Sequence, residues 1–328
     1  MTHQLANSAA KVSATPHQKG SQNAPRLRSV NNSQNDFFCE SNVPLSPERS
    51  TIDRVAYSTK TSFFHFSEAG TMNAYVLPHA LGGEQQRLRL MSDLLDPLER
   101  SHLQRLGLRQ GWRCLEVGCG NGSISQWLAA QVAPDGQVVA SDLEISYVAC
   151  LKATCLEVRQ LDILQGEVEP AQYDLVVARA LLHHLPDPKL ALQRMIAALK
   201  PGGVLLSVEP DMLPATVAEP EAMRRFWDGW FRWAASAGVD YFVGRKIAPL
   251  LASLGMEGVA AEGHTAFANG GSPWASYWMQ TVRELHPKLM ETGHISEDLF
   301  EQFNRHLTDP KYWSSAITFV AASGSKPL

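Results

Sequence analysis

The sequence predicts an α/β fold with a mainly parallel sheet, and three observations support that prediction. A short apolar run, Leu115 to Val117, leads into a turn with glycines at alternate positions of 118–122, and a helical pattern follows. Glycine allows the sharp turn and lets a ligand approach the backbone without a Cβ atom in the way. Apolar runs of strand length recur to about residue 210, and the Lys-Pro-Gly-Gly segment at 200–203 is a helix stop before the last of them. Strands and helices in such an order are typical of α/β domains.

Composition argues against several classes of protein. The chain has 328 residues and a formal net charge of −4, which suits one large domain with additions and shows no basic stripe for nucleic acid. No apolar run approaches the length of a membrane span, and there is no signal-peptide core near residue 1. The five cysteines form no C-x-x-C pair. We therefore expect a cytoplasmic protein with free thiols, no nucleic-acid partner and no membrane span.

The N-terminal part of the chain divides into two segments. Residues 1–50 are polar and rich in Ser, Asn, Gln and Pro, and we predict a disordered tail there. A transit peptide would also lack acids before Asp36, but its amphipathic arginine spacing is missing. Residues 51–108 are predicted to form a helical cap in front of a main domain at 109–328. Within the cap, a helix is predicted over 83–95 from the spacing of Leu88, Met91 and Leu95.

The turn after the first strand predicts the class of cofactor. Glu116 is followed by glycines at 118, 120 and 122, and Ser123 occupies the third glycine position of a dinucleotide G-x-G-x-x-G fingerprint. The E-x-G-x-G-x-G pattern instead resembles motif I of class I S-adenosyl-L-methionine (SAM) methyltransferases. This resemblance implies a seven-stranded Rossmann-like sheet whose last strand is antiparallel. It also implies that the turn faces the methionine and ribose part of SAM, with S-adenosyl-L-homocysteine as the product.

Two acids that follow later strands extend the predicted cofactor site. Asp142 ends a strand over 137–142, about 20 residues past the turn, where a ribose-binding carboxylate belongs. Glu144 is a rival for this role, and Asp142 would otherwise be an ordinary solvated strand end. Asp162 lies in the third strand region, at 158–163. The resemblance implies that Asp162 contacts the adenine amine and that the backbone of the next residue contacts the adenine ring. The alternative role for Asp162 is a helix N-cap. The predicted cofactor contacts are Glu116, Gly118, Cys119, Gly120, Asn121, Gly122, Asp142, Leu143, Asp162, Ile163, Ala178 and Arg179.

A histidine pair follows the fourth strand. The strand over 173–179 runs into Leu-His-His-Leu-Pro-Asp-Pro at 182–188, which resembles the motif IV loop of the family. Histidine suits general-base work near neutral pH, so His183 and His184 are predicted catalytic residues. The resemblance implies a packing role for His184 with His183 facing the pocket, and a one-residue shift in the turn would exchange the two roles. The alternative bases are the two acids after the fifth strand, Glu209 and Asp211.

Aromatic residues mark the predicted acceptor site. Tyr75-Val-Leu-Pro, followed by Gly-Glu-x-x-Arg-Leu at 83–88, resembles an N-terminal segment of bacterial natural-product methyltransferases and implies a layer that closes over the cofactor. Tyr75 is therefore a predicted catalytic residue over the sulfonium, unless it packs under the helix. Two insertions, 211–240 and 264–312, carry helical aromatic faces and are predicted lids, although such faces are often core. The predicted acceptor contacts are Tyr57, Phe64, Phe226, Trp230 and Trp278.

The remaining strands follow in the order that the resemblance implies. The fifth is predicted over 204–210, after the Lys-Pro-Gly-Gly turn. A helix over 243–255 is closed by its final glycine, which is a common helix stop. Strands over 256–262 and 315–324 are predicted to be the sixth and the antiparallel seventh.

These patterns predict SAM-dependent methyl transfer to a bulky apolar small molecule of specialised metabolism. The reaction is an in-line displacement assisted by a general base, and no metal is required. One alternative is C-methylation of a prenyl diphosphate such as farnesyl diphosphate, because the layout resembles bacterial terpenoid C-methyltransferases. In that reaction an alkene attacks the methyl group, with or without cyclisation, and a base such as His183 quenches the carbocation. A catalytically silent SAM-binding protein is a second alternative, against which the intact acids Glu116, Asp142 and Asp162 argue. A nicotinamide reductase is a third, against which the position of Ser123 after Gly122 argues. The acceptor atom and homo-oligomer formation stay open.

Overall fold

The computed structural model of the chain describes residues 77–78 and 81–328. The predictions for the tail 1–50 and for Tyr57, Phe64 and Tyr75 lie outside these residues. The described helices are α1 (Glu84–Arg105), α2 (Ser123–Val132), α3 (Pro188–Ala198), α4 (Glu221–Ser236), α5 (Gly244–Ser253), α6 (Pro273–Glu291) and α7 (Glu297–Thr308), with 3-10 turns at Leu182–His184 and Leu213–Val217. The strands are β1 (Arg113–Val117), β2 (Gln137–Asp142), β3 (Leu156–Gln160), β4 (Tyr173–Arg179), β5 (Leu199–Asp211), β6 (Glu257–Thr265), β7 (Ala268–Asn269), β8 (Trp313–Ser314) and β9 (Thr318–Ser325).

Seven of the strands form one mixed sheet in the order β3-β2-β1-β4-β5-β9-β6. The pairs from β3 through to β5 are parallel, whereas β9 lies antiparallel between β5 and β6. The predicted α/β fold, with a seven-stranded Rossmann-like sheet and an antiparallel last strand, is therefore confirmed. The strand order reverses between β1 and β4, and α/β sheets bind their ligands at the carboxyl ends of the strands beside such a point.

Apolar side chains of the central strands alternate between two cores, one on each face of the sheet. Cys114 of β1 and Leu175 of β4 belong to the core that also contains residues of α1, α2 and α4. Their neighbours Leu115 and Val176 belong to the other core, with α3 and α5. Successive residues of a strand point to opposite faces, and a parallel sheet must be covered on both. This double covering leaves the strand ends as the accessible part of the sheet.

Several element boundaries differ from the prediction. The first helix continues to Arg105, because its buried stripe extends through Leu95 and Leu103 in spite of Pro97 within it. The third strand ends at Gln160, where the chain turns away from the sheet. The fifth strand begins at the leucine that precedes the Lys-Pro-Gly-Gly segment, with a register irregularity against β4. The short β7–β8 pair was not predicted.

The helices of the two insertion ranges pack as a layer beside the sheet. Helix α4 contacts α7, and α6 contacts both α7 and α1. The aromatic face of α4 is buried in this layer, where the ring of Phe226 stacks on that of Phe303 with centroids 3.7 Å apart. Aromatic residues bury large apolar areas, so this contact stabilises the position of α4.

The cysteines depart in part from the free-thiol prediction. Cys114, Cys119 and Cys155 are free and buried, but Cys150 is disulfide-bonded, so the prediction is wrong at that position. A single thiol in a loop carries no sequence signal for its bonding state, because pairing depends on which residues the fold brings near. In the part of the chain that the structure describes, no helix has the length and apolar character needed to cross a bilayer.

Candidate functional site

The glycine turn joins β1 to α2 at the point where the strand order reverses. Gly118, Gly120 and Gly122 have φ angles of 76°, 55° and 74°, which are left-handed values that favour glycine. A Cβ atom at position 122 would lie 2.6 Å from Cδ1 of Leu151, whereas one at position 120 would meet only Leu88, at 3.6 Å. The space beside Gly120 therefore suits a ligand that lies against the turn.

Asp142 ties the end of β2 to this turn. Its Oδ2 accepts a hydrogen bond from the amide of Gly120 at 2.8 Å, and its Oδ1 accepts one from the amide of Glu144 at 3.1 Å. A carboxylate has about four acceptor positions, so each oxygen keeps capacity for a further donor such as a ribose hydroxyl. The rival Glu144 contributes a backbone amide to this arrangement.

Asp162 lies beside Asp142 at the next strand end. The amide of Leu161 donates to the carbonyl oxygen of Asp142 at 2.8 Å, which brings the two acids to adjacent strand ends. Oδ1 of Asp162 accepts from the amide of Leu164 at 2.8 Å, so part of this carboxylate caps its own turn. Of the two predicted contacts beside these acids, the Ile163 side chain is buried and the Leu143 side chain is exposed to solvent.

Helix α1 supplies polar groups to the turn that were not predicted. The Ser92 hydroxyl donates to Oδ1 of Asn121 at 3.1 Å, and the Ser123 hydroxyl donates to Oδ1 of Asp96 at 3.0 Å. Ser92, Asp96 and Glu99 follow one another at helical spacing on one face, which is the sequence signal for them. The glycine turn is therefore held from outside by a polar stripe of α1.

Arg179 at the end of β4 lies within a cluster of buried acids. Its Nη1 is 2.9 Å from Oδ1 of Asp96 and 2.8 Å from Oε2 of Glu99. Glu116 adjoins this cluster and accepts from the Ser125 hydroxyl. Burial, reinforced by Glu99, raises the pKa of Glu116 to about 8. Burial also raises the pKa of Glu99.

This acidic cluster shapes the electrostatics behind the glycine turn. Three carboxylates surround the Arg179 guanidinium, with Arg100 as a half-exposed partner of Asp96 at 2.8 Å. Burial keeps Glu116 mostly protonated at neutral pH, so the cluster carries less negative charge than its three acids alone would indicate. Arg179 is paired with carboxylates, and Ala178 before it is fully buried. These two residues at the end of β4 therefore support the site mainly by holding neighbouring residues in place.

The histidine loop after β4 touches the glycine turn. A Cβ atom at Gly118 would lie 3.1 Å from Cδ1 of Leu181, which places the start of this loop against the turn. Two residues later, Nδ1 of His183 lies 3.1 Å from Oε2 of Glu209 at the end of β5. Oε1 of Glu209 also accepts from the amides of Leu181 and Leu182, at 3.0 and 2.9 Å. Glu209 thus fixes both the loop backbone and the imidazole.

Burial sets the protonation of this pair. Burial, and then the nearby Arg87 charge, lowers the pKa of His183 to about 3, so the ring is neutral at neutral pH. Burial raises the pKa of Glu209 to about 8, and its backbone amide donors act in the opposite direction. Glu209 is therefore mostly protonated at neutral pH and ionises as the pH rises through about 8, and the ionised carboxylate accepts from Nδ1 of His183. In that tautomer Nε2 is the unprotonated nitrogen, which is the form a base needs.

The other predicted bases are less suited to proton transfer. The ring of His184 packs on that of His183 with centroids 3.8 Å apart, and burial lowers the pKa of His184 well below its ordinary value. Asp211 accepts two hydrogen bonds from Arg245, at 2.5 and 2.6 Å. Although burial opposes it, this contact holds the pKa of Asp211 below its usual range, and both carboxylate oxygens of Asp211 are engaged by Arg245.

An open cleft adjoins the histidine loop. Its volume is about 320 Å³, and its walls include Phe231, Val239, Tyr241 and Phe242. The ring of Tyr241 lies 5.4 Å from that of His183, centroid to centroid, and the carbonyl of His183 accepts from the amide of Asp240 at 2.8 Å. One wall of the cleft is thus in contact with the histidine loop.

The predicted acceptor contacts on the insertions occupy the core. Phe226, Trp230 and Trp278 are buried, and Trp230 packs against Tyr241 with centroids 5.5 Å apart. The structure therefore places them behind the cleft and not on its surface. Tyr241, which lines the cleft, was not predicted, because a single tyrosine in a loop has no periodic pattern to distinguish it.

Comparison with known proteins agrees with this geometry. Residues 84–261, more than half of the chain, match the family described as a methyltransferase domain. A ubiquinone biosynthesis O-methyltransferase of Xanthomonas campestris is 31% identical over 132 residues, which cover 38% of this chain and 54% of that protein. One from Bordetella avium is 34% identical over 115 residues, which cover 33% and 47%. The chain thus spans about half the length of the curated relatives that it matches.

Among solved structures, phosphoethanolamine N-methyltransferase 2 of Haemonchus contortus, in complex with SAM, superimposes with a TM-score of 0.46 at 18% identity. This match covers 77% of the present chain and 54% of the other. The family match, the strand order and the glycine turn with its acids lead to one conclusion. The chain belongs to the class I SAM-dependent methyltransferases, and SAM is its cofactor.

Proposed function

We propose that the chain transfers the methyl group of SAM to a hydroxyl oxygen of a bulky apolar small molecule of specialised metabolism, with His183 as the general base. The observation that carries this proposal is the His183–Glu209 pair, which holds a neutral imidazole in the loop whose Leu181 contacts the glycine turn. The names of the curated relatives, ubiquinone biosynthesis O-methyltransferases, support an oxygen acceptor.

His183 and Glu209 divide the handling of the proton. SAM, when bound, supplies a methyl group on a positively charged sulfur. In its ionised form, Glu209 accepts a hydrogen bond from Nδ1–H of His183, so Nε2 is free to take the proton of the acceptor hydroxyl. The imidazolium that results is stabilised by the carboxylate 3.1 Å away. Glu209 is therefore a positioning residue, and His183 is the base.

The cofactor seat follows from the strand ends. We assign the ribose hydroxyls to Asp142 and the adenine to Asp162 with the backbone of Ile163, since these groups lie at adjacent strand ends and retain acceptor capacity. The turn from Gly118 to Gly122 contacts the methionine part.

The acceptor occupies the cleft in front of Tyr241 in this proposal. Phe231 and Phe242 supply apolar walls, while Trp230 and Trp278 support Tyr241 from the core. Aromatic and apolar walls with a few polar groups are usual in small-molecule sites. No observation among the described residues favours a prenyl diphosphate, because Arg87, Arg179 and Arg245 are each paired with a carboxylate.

Methyl transfer with isotopically labelled SAM tests this proposal. The acceptor panel contains alkylated phenols and catechols, indoles and amines, and prenyl diphosphates including farnesyl diphosphate, and products are followed by mass spectrometry. We expect label on phenolic oxygen. Label confined to nitrogen acceptors or to a prenyl chain would overturn the oxygen assignment. Tight SAM binding without any labelled product would indicate the catalytically silent alternative.

Replacement of His183 tests the base. His183→Asn retains an amide donor near the Nδ1 position, so the contact with Glu209 persists while the base at Nε2 is lost. We expect kcat to fall by about 10²- to 10⁴-fold, with SAM affinity within about threefold of the parent. The matched control is His286→Asn, since His286 forms a half-exposed pair with Glu297 on α6 and α7. An unchanged kcat in a folded His183→Asn variant would exclude His183 as the base.

A further inference from the structure

Two histidines and a glutamate meet between α1 and the edge strand β6, away from the glycine turn. They are His102 of α1 with Glu262 and His264 of β6. Glu262 and His264 are two residues apart on a strand, so both side chains project from the same face. His102 is buried, whereas Glu262 and His264 are exposed. One ligand atom from each of the three lies within 4.8 Å of the other two.

The spacing of these atoms fits a tetrahedral metal ion. Nε2 of His102 is 3.4 Å from Nε2 of His264. Two nitrogens bound to zinc at the usual 2.0–2.1 Å and the tetrahedral angle are about 3.3 to 3.4 Å apart. Oε2 of Glu262 is 3.9 Å from each of these nitrogens, and a shift of about half an ångström would bring this exposed side chain to the same spacing.

A cationic group already lies at this point. Nη2 of Arg105 is 2.9 Å from Oε2 of Glu262, and it is 2.7 and 3.3 Å from Nδ1 and Nε2 of His102. Arginine has no acceptor, so Nδ1 of His102 accepts this hydrogen bond. The geometry shows that the cluster attracts positive charge. The Arg105 side chain is about half exposed, so solvent can replace its contacts when it leaves.

We propose that His102, Glu262 and His264 bind one divalent transition-metal ion of the zinc type, with water in the fourth position. Binding exchanges cations: Arg105 withdraws, the proton of the His102 ring resides on Nδ1, and Nε2 becomes the metal ligand. Imidazole nitrogens with one carboxylate are a usual zinc set. The ion joins α1 to the edge of the sheet and so fixes the helix whose polar stripe supports the glycine turn. This inference is independent of the proposed function.

Metal binding to the whole chain tests the proposal. Chelator-treated protein is titrated with Zn²⁺ by calorimetry and with Co²⁺ by visible absorption, which reports tetrahedral coordination. We expect one ion per chain. At a free Zn²⁺ concentration 100 times Kd, the ratio of folded to unfolded protein should rise by about 100-fold, seen as a higher Tm.

Three variants decide the outcome. His264 is exposed, and His264→Ala should weaken Zn²⁺ binding at least about tenfold. The control is His286→Ala, which removes the histidine of a His–Glu pair elsewhere in the chain and should leave Zn²⁺ binding unchanged. Arg105→Met removes the competing cation and should tighten binding. Equal affinity of the parent and His264→Ala, or no binding by the parent, would overturn the proposal. So would an Arg105→Met variant that binds no more tightly than the parent.

Discussion

Glu116 couples the cofactor site to the stability of the fold. The residue is 5% exposed and receives one hydroxyl hydrogen bond from Ser125. Its carboxyl has a pKa of about 8 in the folded chain, against 4.5 for the ordinary group. The folded state therefore binds more protons than the unfolded state between these two pH values. Stability from this group is fully present below pH 4.5 and is lost as the pH rises through 8.

We predict that Glu116→Gln stabilises the chain at high pH. The amide keeps an acceptor for Ser125 and cannot ionise, so the difference in Tm between variant and parent should grow from pH 5 to pH 9. The full effect is on the order of 4 kcal/mol in the free energy of unfolding. Thermal unfolding followed by circular dichroism across this range measures it, with the exposed Glu297→Gln as control. Parallel curves for variant and parent would contradict the prediction.

Single residues were predictable where a motif fixed their position. Asp142 and His183 follow strand patterns, and the structure places them at the carboxyl edge of the sheet. The role of Glu209 as the partner of His183 was not predictable, because the contact depends on the alignment of β5 with the loop after β4. For Phe226 the sequence left two outcomes open. Its helical spacing predicts an apolar helix face, but it does not distinguish a face buried in the core from a face of a lid over the acceptor, and the structure buries Phe226 in the core.

At the scale of elements, α1 and β4 are joined by one buried cation. Arg179 of β4 lies between Asp96 and Glu99 of α1, and its side chain is 9% exposed. A buried charge that loses its partner is strongly unfavourable, since neither water nor another ion replaces the contact. The position of α1 over the glycine turn therefore depends on this guanidinium.

We predict that Arg179→Met destabilises the chain by about 3–5 kcal/mol and weakens SAM binding, because Glu99 then loses its buried cation and Asp96 keeps only the half-exposed Arg100. Arg159→Met is the matched control: Arg159 pairs with Glu157 and Glu169 at the surface, where such pairs contribute about 1 kcal/mol or less. Chemical denaturation and SAM calorimetry give the two quantities. Similar losses in both variants would show that the cluster around Arg179 has no special role.

Helices and strands were predictable from periodicity, but their contacts were not. The leucines of α1 predict its buried face. The structural role of Ser92, Asp96 and Glu99, however, depends on their contacts with Asn121 and Arg179, which lie on other elements. The end of β3 at Gln160 likewise depends on a turn fixed by hydrogen bonds of Asp142 and Asp162. Local pattern contains no information on such pairings, so boundaries and networks required the structure.

In the whole molecule, β9 holds the outer part of the sheet together. It comes after β6 in the sequence but lies between β5 and β6, with antiparallel pairing to both. Its antiparallel direction was implied by the family resemblance, but its place between β5 and β6 was not predicted, since its apolar pattern alone predicts a strand without a neighbour. Val320 and Ala322 have partners on both sides, so the strand is internal and not an edge.

We predict that deletion of residues 318–328 prevents formation of a stable fold. Without β9, the outer edge of β5 and the inner edge of β6 lose their hydrogen-bonding partners, and both cores lose residues. Deletion of Pro327 and Leu328 alone should change Tm by only a few degrees, since both side chains are exposed. Soluble expression and circular dichroism compare the two. A cooperative, SAM-binding protein without residues 318–328 would contradict this prediction.

The late arrival of β9 has a consequence during synthesis. β5 ends at Asp211 and β9 begins at Thr318, so a ribosome that adds 5–20 residues per second needs roughly 5 to 20 seconds to deliver the strand that completes β5. Throughout that interval the nascent chain presents an unpaired row of backbone donors and acceptors along an apolar strand. A chaperone that shields this edge during that interval should therefore raise the yield of folded protein.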